Sequence, residues 1–245
     1  MQIDIFDSPG ILAQLAARKI IDMVSSKPNA LLCLAGGETP RLTYQNIVEG
    51  AKNKGIDFSR VQFVSLDEWV GIPASNTGSC YYFLNETIFE PLAIKRANIH
   101  FFNSIAGNLS AECDRINQII QNLGGIDLML LGVGMNGHIG FNEPGISPYL
   151  YAHVIELDTI TQQVGQKYFS ETTSLQKGIS LGMAQFMQSR MVILLATGNK
   201  KAPIIKKALE ENVSAAVPAS FIQEHTNAFA LLDSEAAGLL SKPTL

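Results

Sequence analysis

The sequence predicts an α/β protein with a mostly parallel sheet and helices on both faces of that sheet. Short runs of Leu, Ile and Val, of the length of buried strands, alternate with longer segments whose apolar residues have helical spacing. Glycine-rich turns follow two of these runs, at 36–37 and at 132–137, where parallel sheets place their ligand-binding loops. Because no linker, low-complexity tract or internal repeat interrupts the pattern, we expect a single domain over residues 1–245.

The first predicted helix begins at Ser8-Pro9, since a capping hydroxyl followed by a proline is a typical helix start. Its apolar spacing is helical up to Val24, and the helix ends at 27–29. The later elements are expected in this order: strand 30–34, helix 40–54, strand 61–66, helix 81–89, strand 99–102, helix 110–123, strand 127–131, a short strand at 154–157, a helix from 159, strand 191–196, helix 202–209, strand 228–232 and a final helix.

The composition is that of a compact globular protein, with 47% hydrophobic and 16% charged residues. A net charge of −4 without a basic cluster argues against nucleic acid as a partner, since that binding depends on phosphate neutralisation. No apolar run reaches the roughly 18 residues that span a membrane, and the first ten residues are unlike a signal peptide. We therefore expect a cytoplasmic protein without a membrane partner. The three cysteines have no metal-binding spacing, and the sequence does not decide between a monomer and a homo-oligomer.

The stretch 132–145, GVGMNGHIGFNEPG, is the most distinctive part of the sequence. Its glycines allow a sharp turn that brings Asn136, His138 and Glu143 out at the carboxyl end of a buried strand, where open α/β sheets bind ligands. A histidine carries protons near neutral pH, and a nearby carboxylate can hold its ring in one tautomer and stabilise the imidazolium. The stretch predicts a proton-transfer site, with a purely structural histidine as the alternative.

A second glycine-rich turn, AGGETP at 35–40, lies between a buried strand and a helix. Gly36 and Gly37 let backbone N–H groups converge on an anion, the helix start adds positive partial charge, and the Thr39 hydroxyl is a further donor. We expect a phosphate site here, although an ordinary turn without a ligand is the alternative. Glu38 would repel a phosphate unless its carboxylate points away. Because the spacing matches neither GxxxxGK[ST] nor GxGxxG, a nucleotide is not indicated.

Two adjacent acids, Asp67 and Glu68, follow the predicted strand that ends at Leu66. A carboxylate at the end of a strand, shielded by apolar neighbours, is a candidate general base for removing a proton from carbon. Only one of the two acids is expected to face the site, and the spacing does not decide which. An exposed acidic turn is the alternative.

Lysines follow the predicted strand that ends at Ala196. Lys200 and Lys201 occupy the first turn of the next helix, where a lysine could reach a phosphate as a point charge. The spacing alone does not single out Lys201.

Five motifs together resemble the glucosamine-6-phosphate deaminase and galactosamine-6-phosphate isomerase family. They occur in the family's order over nearly the whole chain: GGETP at 36–40, LDEWVG at 66–71, GVGMNGHIGFNEPG at 132–145, GNKKA at 198–202 and VPASFIQEH at 217–225. The resemblance implies a Rossmann-like α/β fold with no metal or organic cofactor. It also implies a small-molecule sugar phosphate as partner: a 2-amino-2-deoxyhexose 6-phosphate that is converted to a ketohexose 6-phosphate with release of ammonia.

The resemblance also assigns roles to the matching residues. Asp67 would move a proton between C2 and C1 of the sugar, and His138, supported by Glu143, would help to open the ring. The turn at 37–39, with Lys201, would hold the phosphate.

The chain departs from this family in three places. Glucosamine-6-phosphate deaminases usually carry an aspartate two residues before the histidine, where this chain has Asn136, a neutral amide that can position the imidazole but not offset its charge. The charged allosteric cluster of hexameric bacterial deaminases is not recognisable after Pro144, so we expect no activation by the N-acetylated sugar phosphate. The arginine expected after Asp158-Thr159 is absent, which leaves one substrate contact unassigned.

Together with its LDEW and PASF contexts, Asn136 is more typical of the galactosamine-6-phosphate isomerase branch. The sequence therefore favours galactosamine 6-phosphate, giving tagatose 6-phosphate, over glucosamine 6-phosphate, giving fructose 6-phosphate. A 6-phosphogluconolactonase would share GGETP and the histidine turn, but FNEPG favours the amino-sugar enzymes. A sugar-phosphate-sensing domain of a transcription regulator would share the fold, but residues 1–29 are too few for a DNA-binding helix pair.

Overall fold

The computed structural model describes residues 1–241, and these residues form ten strands and seven α-helices. In chain order they are β1 (Gln2–Phe6), α1 (Pro9–Ser26), β2 (Leu31–Leu34), α2 (Glu38–Lys54), β3 (Gln62–Ser65), β4 (Asp67–Trp69), α3 (Cys80–Leu84), β5 (Ile99–His100), α4 (Leu109–Asn122), β6 (Leu128–Leu131), β7 (His153–Glu156), α5 (Thr159–Gly165), β8 (Lys177–Ser180), α6 (Met183–Gln188), β9 (Val192–Ala196), α7 (Ala202–Glu210) and β10 (Ala228–Asp233). None of these helices is long and apolar enough to cross a membrane.

Seven strands form a parallel sheet in the order β1-β10-β9-β6-β2-β3-β5. The chain proceeds outward from β2 to β3 and β5, then returns to β6 on the other side of β2 and continues outward to β9 and β10. The strand order thus reverses between β2 and β6, and a crevice at such a reversal is the usual ligand site of an open α/β sheet. The predicted α/β fold with a mostly parallel sheet is confirmed.

The core lies on both faces of this sheet, because the central strands β2, β6 and β9 are buried at every residue. Alternate residues of β2 enter different clusters: Leu31 and Cys33 pack with α4, α6 and α7, whereas Leu32 and Leu34 pack with α1 and α2. Burying one such leucine stabilises the fold by about 1.5–3 kcal/mol. Helices therefore cover both faces, as predicted.

A smaller antiparallel sheet, in the order β4-β8-β7, was not predicted. The predicted strand at 154–157 is present as β7 but belongs to this second sheet, and β4 occupies residues for which the sequence predicted no strand. These strands have only three or four residues, and β7 is partly exposed along its length, so they lack the apolar run of a buried strand. A cluster around Trp69 and Phe141 packs against them.

Other element predictions were partly wrong. Strand β1 was missed because it is an edge strand whose Ile3 and Ile5 remain exposed between polar residues. The helix predicted at 81–89 is α3 followed by a π-helical turn at Asn85–Phe89. The predicted final helix is absent up to residue 241: residues 234–239 form turns that begin at the Asp233 carboxylate, which accepts from Ala236 N. Residues 242–245 lie outside the described residues.

Candidate active site

A cavity of about 440 Å³ opens at the carboxyl ends of the parallel strands, beside the crevice between β2 and β6. Its wall comes from the turns after β2 and β6, the β3–β4 connection, the start of α3, α5 and the turn before α7. Seven predicted site residues line it: Gly36, Gly37, Glu38, Thr39, Asp67, His138 and Lys201. Asn136 and Glu143 lie behind His138 and contact it.

Asp67 lies where the chain leaves β3 and enters β4, whose pairing with β8 holds its backbone against Ser180. The residue is only 9% exposed. Burial raises the pKa of Asp67 to about 6, although the neighbouring Cys80 thiol and the charge of His138 act in the opposite direction. The result is a carboxylate on the cavity wall that is ionised at neutral pH and more basic than an exposed aspartate.

Glu68 faces away from the cavity, as alternation along β4 requires. Its carboxylate accepts hydrogen bonds from the backbone N–H groups of Trp69, Cys80 and Tyr81 at 2.9–3.0 Å. Burial raises the pKa of Glu68 to about 7, and these hydrogen bonds offset only part of the increase. Glu68 thus fixes the start of α3, and of the two adjacent acids Asp67 is the one on the cavity wall.

His138 is held through one ring nitrogen. Its Nδ1 lies 3.5 Å from Oε2 of Glu143 and 3.1 Å from the hydroxyl of Thr161. With Nδ1 occupied in this way, Nε2 is the nitrogen left for a substrate. Gly134 is required beside it, because a Cβ at that position would lie 2.4 Å from the imidazole.

The Glu143 carboxylate is itself held by other groups. Burial alone would raise its pKa, but hydrogen bonds and charge from His138, with Thr161 and Asn136, outweigh burial and lower the pKa of Glu143. Its second oxygen accepts from the backbone N–H of Asp158 at 3.3 Å. An ionised Glu143 can therefore stabilise a protonated His138.

Asn136 does not position the imidazole directly, contrary to the sequence-based expectation. Its Nδ2 donates to Glu143 at 2.8 Å, and its Oδ1 accepts from the backbone N–H of His138 at 3.2 Å. The amide therefore orients the carboxylate that contacts the ring. The sequence did not identify Thr161 as the other partner of the His138 ring. Thr161 lies on α5, and the prediction lacked the strand β8 that follows this helix.

The turn after β2 provides the start of α2 and its free N–H groups. Gly37 has a φ of 106°, and a Cβ there would lie 3.1 Å from the hydroxyl oxygen of Tyr168, so the position suits glycine. Glu38 pairs with the Arg41 guanidinium at 2.8 and 2.9 Å, and this pairing holds its pKa below the ordinary value. Arg41 thus neutralises the carboxylate that would otherwise repel an anion near Thr39.

Lys201 reaches the cavity from the turn before α7 and donates to the backbone carbonyl of Val133, in the turn after β6. Burial, reinforced by the nearby charge of Lys167, lowers the pKa of Lys201 to about 8. A bound anion would relieve both effects. Lys200 does not line the cavity, so the geometry distinguishes the two adjacent lysines.

Among the residues of the cavity wall that the sequence did not identify are Cys80, Thr161, Lys167 and Tyr168. Lys167 and Tyr168 form a 3-10 turn directly after α5, and the Lys167 amine lies 4.9 Å from the Tyr168 ring centroid. The only hint of Lys167 in the sequence was indirect. The arginine expected after Asp158 was absent, so one substrate contact had no residue assigned to it.

The chain is similar to known sugar-phosphate enzymes. A family model of glucosamine-6-phosphate isomerases and 6-phosphogluconolactonases matches residues 10–231. The chain is 40% identical to a glucosamine-6-phosphate deaminase of Geobacillus sp. (strain WCH70), over 94% of this chain and 92% of that protein. It is 37% identical to glucosamine-6-phosphate deaminase 1 of Bacillus subtilis (strain 168), over 93% of this chain and 95% of that protein.

The fold is also that of a solved relative. A monomeric glucosamine-6-phosphate deaminase of the NagB superfamily superposes with a TM-score of 0.94 at 35% identity, covering 98% of this chain and 100% of that one. The family model spans most of the chain, and both curated relatives exceed one third identity over nearly their full length. The chain therefore belongs to the glucosamine-6-phosphate isomerase/6-phosphogluconolactonase family of sugar-phosphate enzymes.

Proposed function

We propose that this enzyme converts glucosamine 6-phosphate and water to fructose 6-phosphate and ammonia. The observation that carries the proposal is Asp67, a buried carboxylate on the cavity wall with a pKa raised to about 6. Among residues 1–241, no lysine or arginine forms an ion pair with it. A base of this kind can remove a proton from a carbon next to a carbonyl, which is the central step of an aldose–ketose conversion.

The phosphate binds where cations and free N–H groups converge. The backbone of Gly37 and Glu38, the hydroxyl of Thr39 and the start of α2 supply donors, and Lys201 supplies charge from the opposite wall. Lys167 adds a second cation and is our candidate for the substrate contact that the sequence left unassigned. The cavity volume of about 440 Å³ lies within the range of about 300–1,000 Å³ that small-molecule sites occupy.

His138 opens the sugar ring. Its Nε2 takes the proton of the C1 hydroxyl and returns it to the ring oxygen as the bond between C1 and that oxygen breaks, which leaves the open-chain aldehyde. Glu143 stabilises the imidazolium that exists between the two transfers, and Thr161 keeps Nδ1 in place.

Asp67 then transfers a proton from C2 to C1. The electrons of the broken C2–H bond form a double bond between C1 and C2 while the aldehyde oxygen takes a proton from the ammonium group at C2, which gives an enolamine. Return of the first proton to C1 then leaves a protonated imine at C2. Water adds to this imine and ammonia leaves, so that a 2-ketose 6-phosphate remains.

Glucosamine 6-phosphate is proposed in place of galactosamine 6-phosphate, which the sequence favoured. That preference rested mainly on Asn136, whose amide contacts Glu143 and the backbone of His138 and not the cavity. An amide in this position does not read the configuration at C4. The names of the related proteins also support the gluco sugar.

Ammonia release from glucosamine 6-phosphate and galactosamine 6-phosphate, measured side by side at neutral pH, tests the proposal. We expect a higher kcat/KM with the gluco sugar and formation of fructose 6-phosphate. A higher kcat/KM with the galacto sugar would overturn the choice of substrate. Hydrolysis of 6-phosphogluconolactone, with no ammonia from either amino sugar, would overturn the reaction itself.

A further inference from the structure

Tyr168 lines the cavity, but the mechanism above gives it no part. It is the last residue of the 3-10 turn after α5, and its hydroxyl oxygen lies 3.1 Å from the position that a Cβ on Gly37 would take. The hydroxyl therefore approaches the turn after β2 on the side where any residue other than glycine carries its side chain. Within residues 1–241, Tyr168 is the only tyrosine that lines this cavity.

The Tyr168 hydroxyl has no hydrogen-bond partner among residues 1–241, although the side chain is partly buried. The hydrogen bonds of its own turn are made by the Gln166 side chain and by the backbone N–H of Phe169. A buried tyrosine hydroxyl usually has a partner. Tyr44 shows the usual arrangement, since its buried hydroxyl donates to the carbonyl of Ala35 in the turn after β2. The partner that Tyr168 lacks can be a ligand bound at the same turn.

Packing holds the 3-10 turn in place. Phe169 contacts Trp69 with ring centroids 6.2 Å apart, and its ring lies so close to Gly78 that a Cβ there would come within 2.4 Å of it. The Gln166 side chain donates to the backbone carbonyl of Thr173 at 2.6 Å and accepts from its N–H at 3.1 Å. A hydroxyl on a turn that is anchored in this way loses little conformational freedom when it binds a ligand.

The surroundings of the hydroxyl suit an anion. Burial, with smaller contributions from neighbouring groups such as Glu38, raises the pKa of Tyr168 to about 12, so the phenol stays protonated and can donate. The free N–H groups at the start of α2, the Thr39 hydroxyl and the Lys201 amine line the same part of the cavity. The Lys167 amine lies 4.9 Å from the centroid of the Tyr168 ring. A phosphate group has enough oxygens to accept from several of these donors at once.

We propose that Tyr168 is a phosphate-binding residue whose hydroxyl donates to an oxygen of the 6-phosphate held at the turn 37–39. This inference rests on the proposed function, because it takes the anion to be the phosphate ester of the amino sugar. The phosphate takes no part in the bonds that form and break, so the contact is equally strong in the ground state and in the transition state. Tyr168 therefore contributes to substrate affinity and not to kcat.

The test uses Tyr168→Phe, which removes the hydroxyl and keeps the ring. We expect the Kd for inorganic phosphate, measured by isothermal titration calorimetry, to rise about tenfold, because a hydrogen bond to a charged group is lost. The KM for glucosamine 6-phosphate should rise by a similar factor, with kcat within about twofold of the wild type. Tyr149→Phe is the matched control, since Tyr149 is 85% exposed and does not line the cavity.

A wild-type Kd for inorganic phosphate in Tyr168→Phe would overturn the proposal, as would a wild type that shows no saturable phosphate binding. If Tyr168→Phe fails to fold, ultraviolet resonance Raman spectroscopy of the wild type decides the question. The intensity ratio of the tyrosine ring doublet should fall when inorganic phosphate is added, because one hydroxyl becomes a stronger donor, and an unchanged ratio would contradict the contact. Absence of ammonia release from both amino sugars would count against the proposed function alone, because phosphate binding does not depend on turnover.

Discussion

Asp67 and Asp127 are both buried aspartates, but they lie at opposite ends of the parallel sheet and have opposite electrostatic surroundings. Asp127 precedes β6 at the amino ends of the strands and is 1% exposed. Both of its oxygens contact the Lys27 amine, at 2.8 and 2.9 Å, the Arg190 guanidinium pairs with it, and Leu31 N–H donates to it at 2.8 Å. Asp67, at the carboxyl end, has no such cation among the described residues. The Asp127 carboxylate, which holds strands together, is thus neutralised by cations. The Asp67 carboxylate, which faces the cavity, remains basic.

Substitution of Asp67 should produce the largest effect on activity without destabilising the fold. Asp67→Asn removes the proposed base, so we expect kcat to fall by about 10²- to 10⁴-fold, the usual contribution of general acid–base catalysis. Substrate binding, measured by isothermal titration calorimetry, should change little. A variant that retains more than a tenth of the wild-type kcat would contradict the role of Asp67 as the base.

Asp127→Asn should do the reverse. Loss of the buried carboxylate leaves Lys27 and Arg190 without their partner, so the free energy of unfolding should fall by about 3 kcal/mol in urea titrations. The folded fraction should keep its kcat, since Asp127 is far along the strands from the cavity. A loss of kcat equal to that of Asp67→Asn would mean that the two ends are not functionally distinct.

The pH dependence of stability sharpens the same comparison. Burial raises the pKa of Asp67 to about 6, above the value of about 3.9 in an unfolded chain, so the folded state binds this proton more tightly. The stability that Asp67 contributes is complete below about pH 4 and is lost as the pH rises to about 6. The unfolding free energy of Asp67→Asn relative to wild type should therefore increase by about 3 kcal/mol over this range and stay constant above it. Asp114→Asn, an exposed control on α4, should show a flat difference.

Two lysines extend the comparison from acids to cations. Lys27 forms an ion pair with Asp127, whereas the one hydrogen bond of the Lys201 amine within residues 1–241 goes to a backbone carbonyl. Lys201→Ala should raise KM roughly tenfold or more through loss of a phosphate contact, with a smaller change in kcat. Lys27→Ala should leave KM unchanged, and so should Lys200→Ala next to the site. An unchanged KM in Lys201→Ala would remove that lysine from the phosphate site.

The parallel sheet was predictable because its central strands are buried on both faces and therefore appear as continuous apolar runs. The second sheet was not, since its short strands gain their stability from packing of Trp69 and Phe141 that no local pattern encodes. In the same way, Gly36, Gly37 and His138 were found from their place after predicted strands. Lys167 was missed because its position depends on the path between β7 and β8.

The orientation of side chains was the other feature that could not be predicted from the sequence. Asn136 is two residues from His138, yet its amide contacts Glu143 and the His138 backbone and not the imidazole. Asp67 and Glu68 could not be separated by spacing either. Strand pairing of β4 with β8 decides which of the two faces the cavity.

The central claim is that Asp67, which has no lysine or arginine partner among residues 1–241, acts as the base at C2. The fate of the C2–H bond tests this claim most directly. Glucosamine 6-phosphate deuterated at C2 can be followed by NMR with wild type and with Asp67→Asn, at substrate concentrations that saturate both. We predict that the wild type removes deuterium from C2 as it releases ammonia, and that Asp67→Asn binds the sugar but leaves the deuterium in place. Removal of C2 deuterium by Asp67→Asn at the wild-type rate would contradict the account.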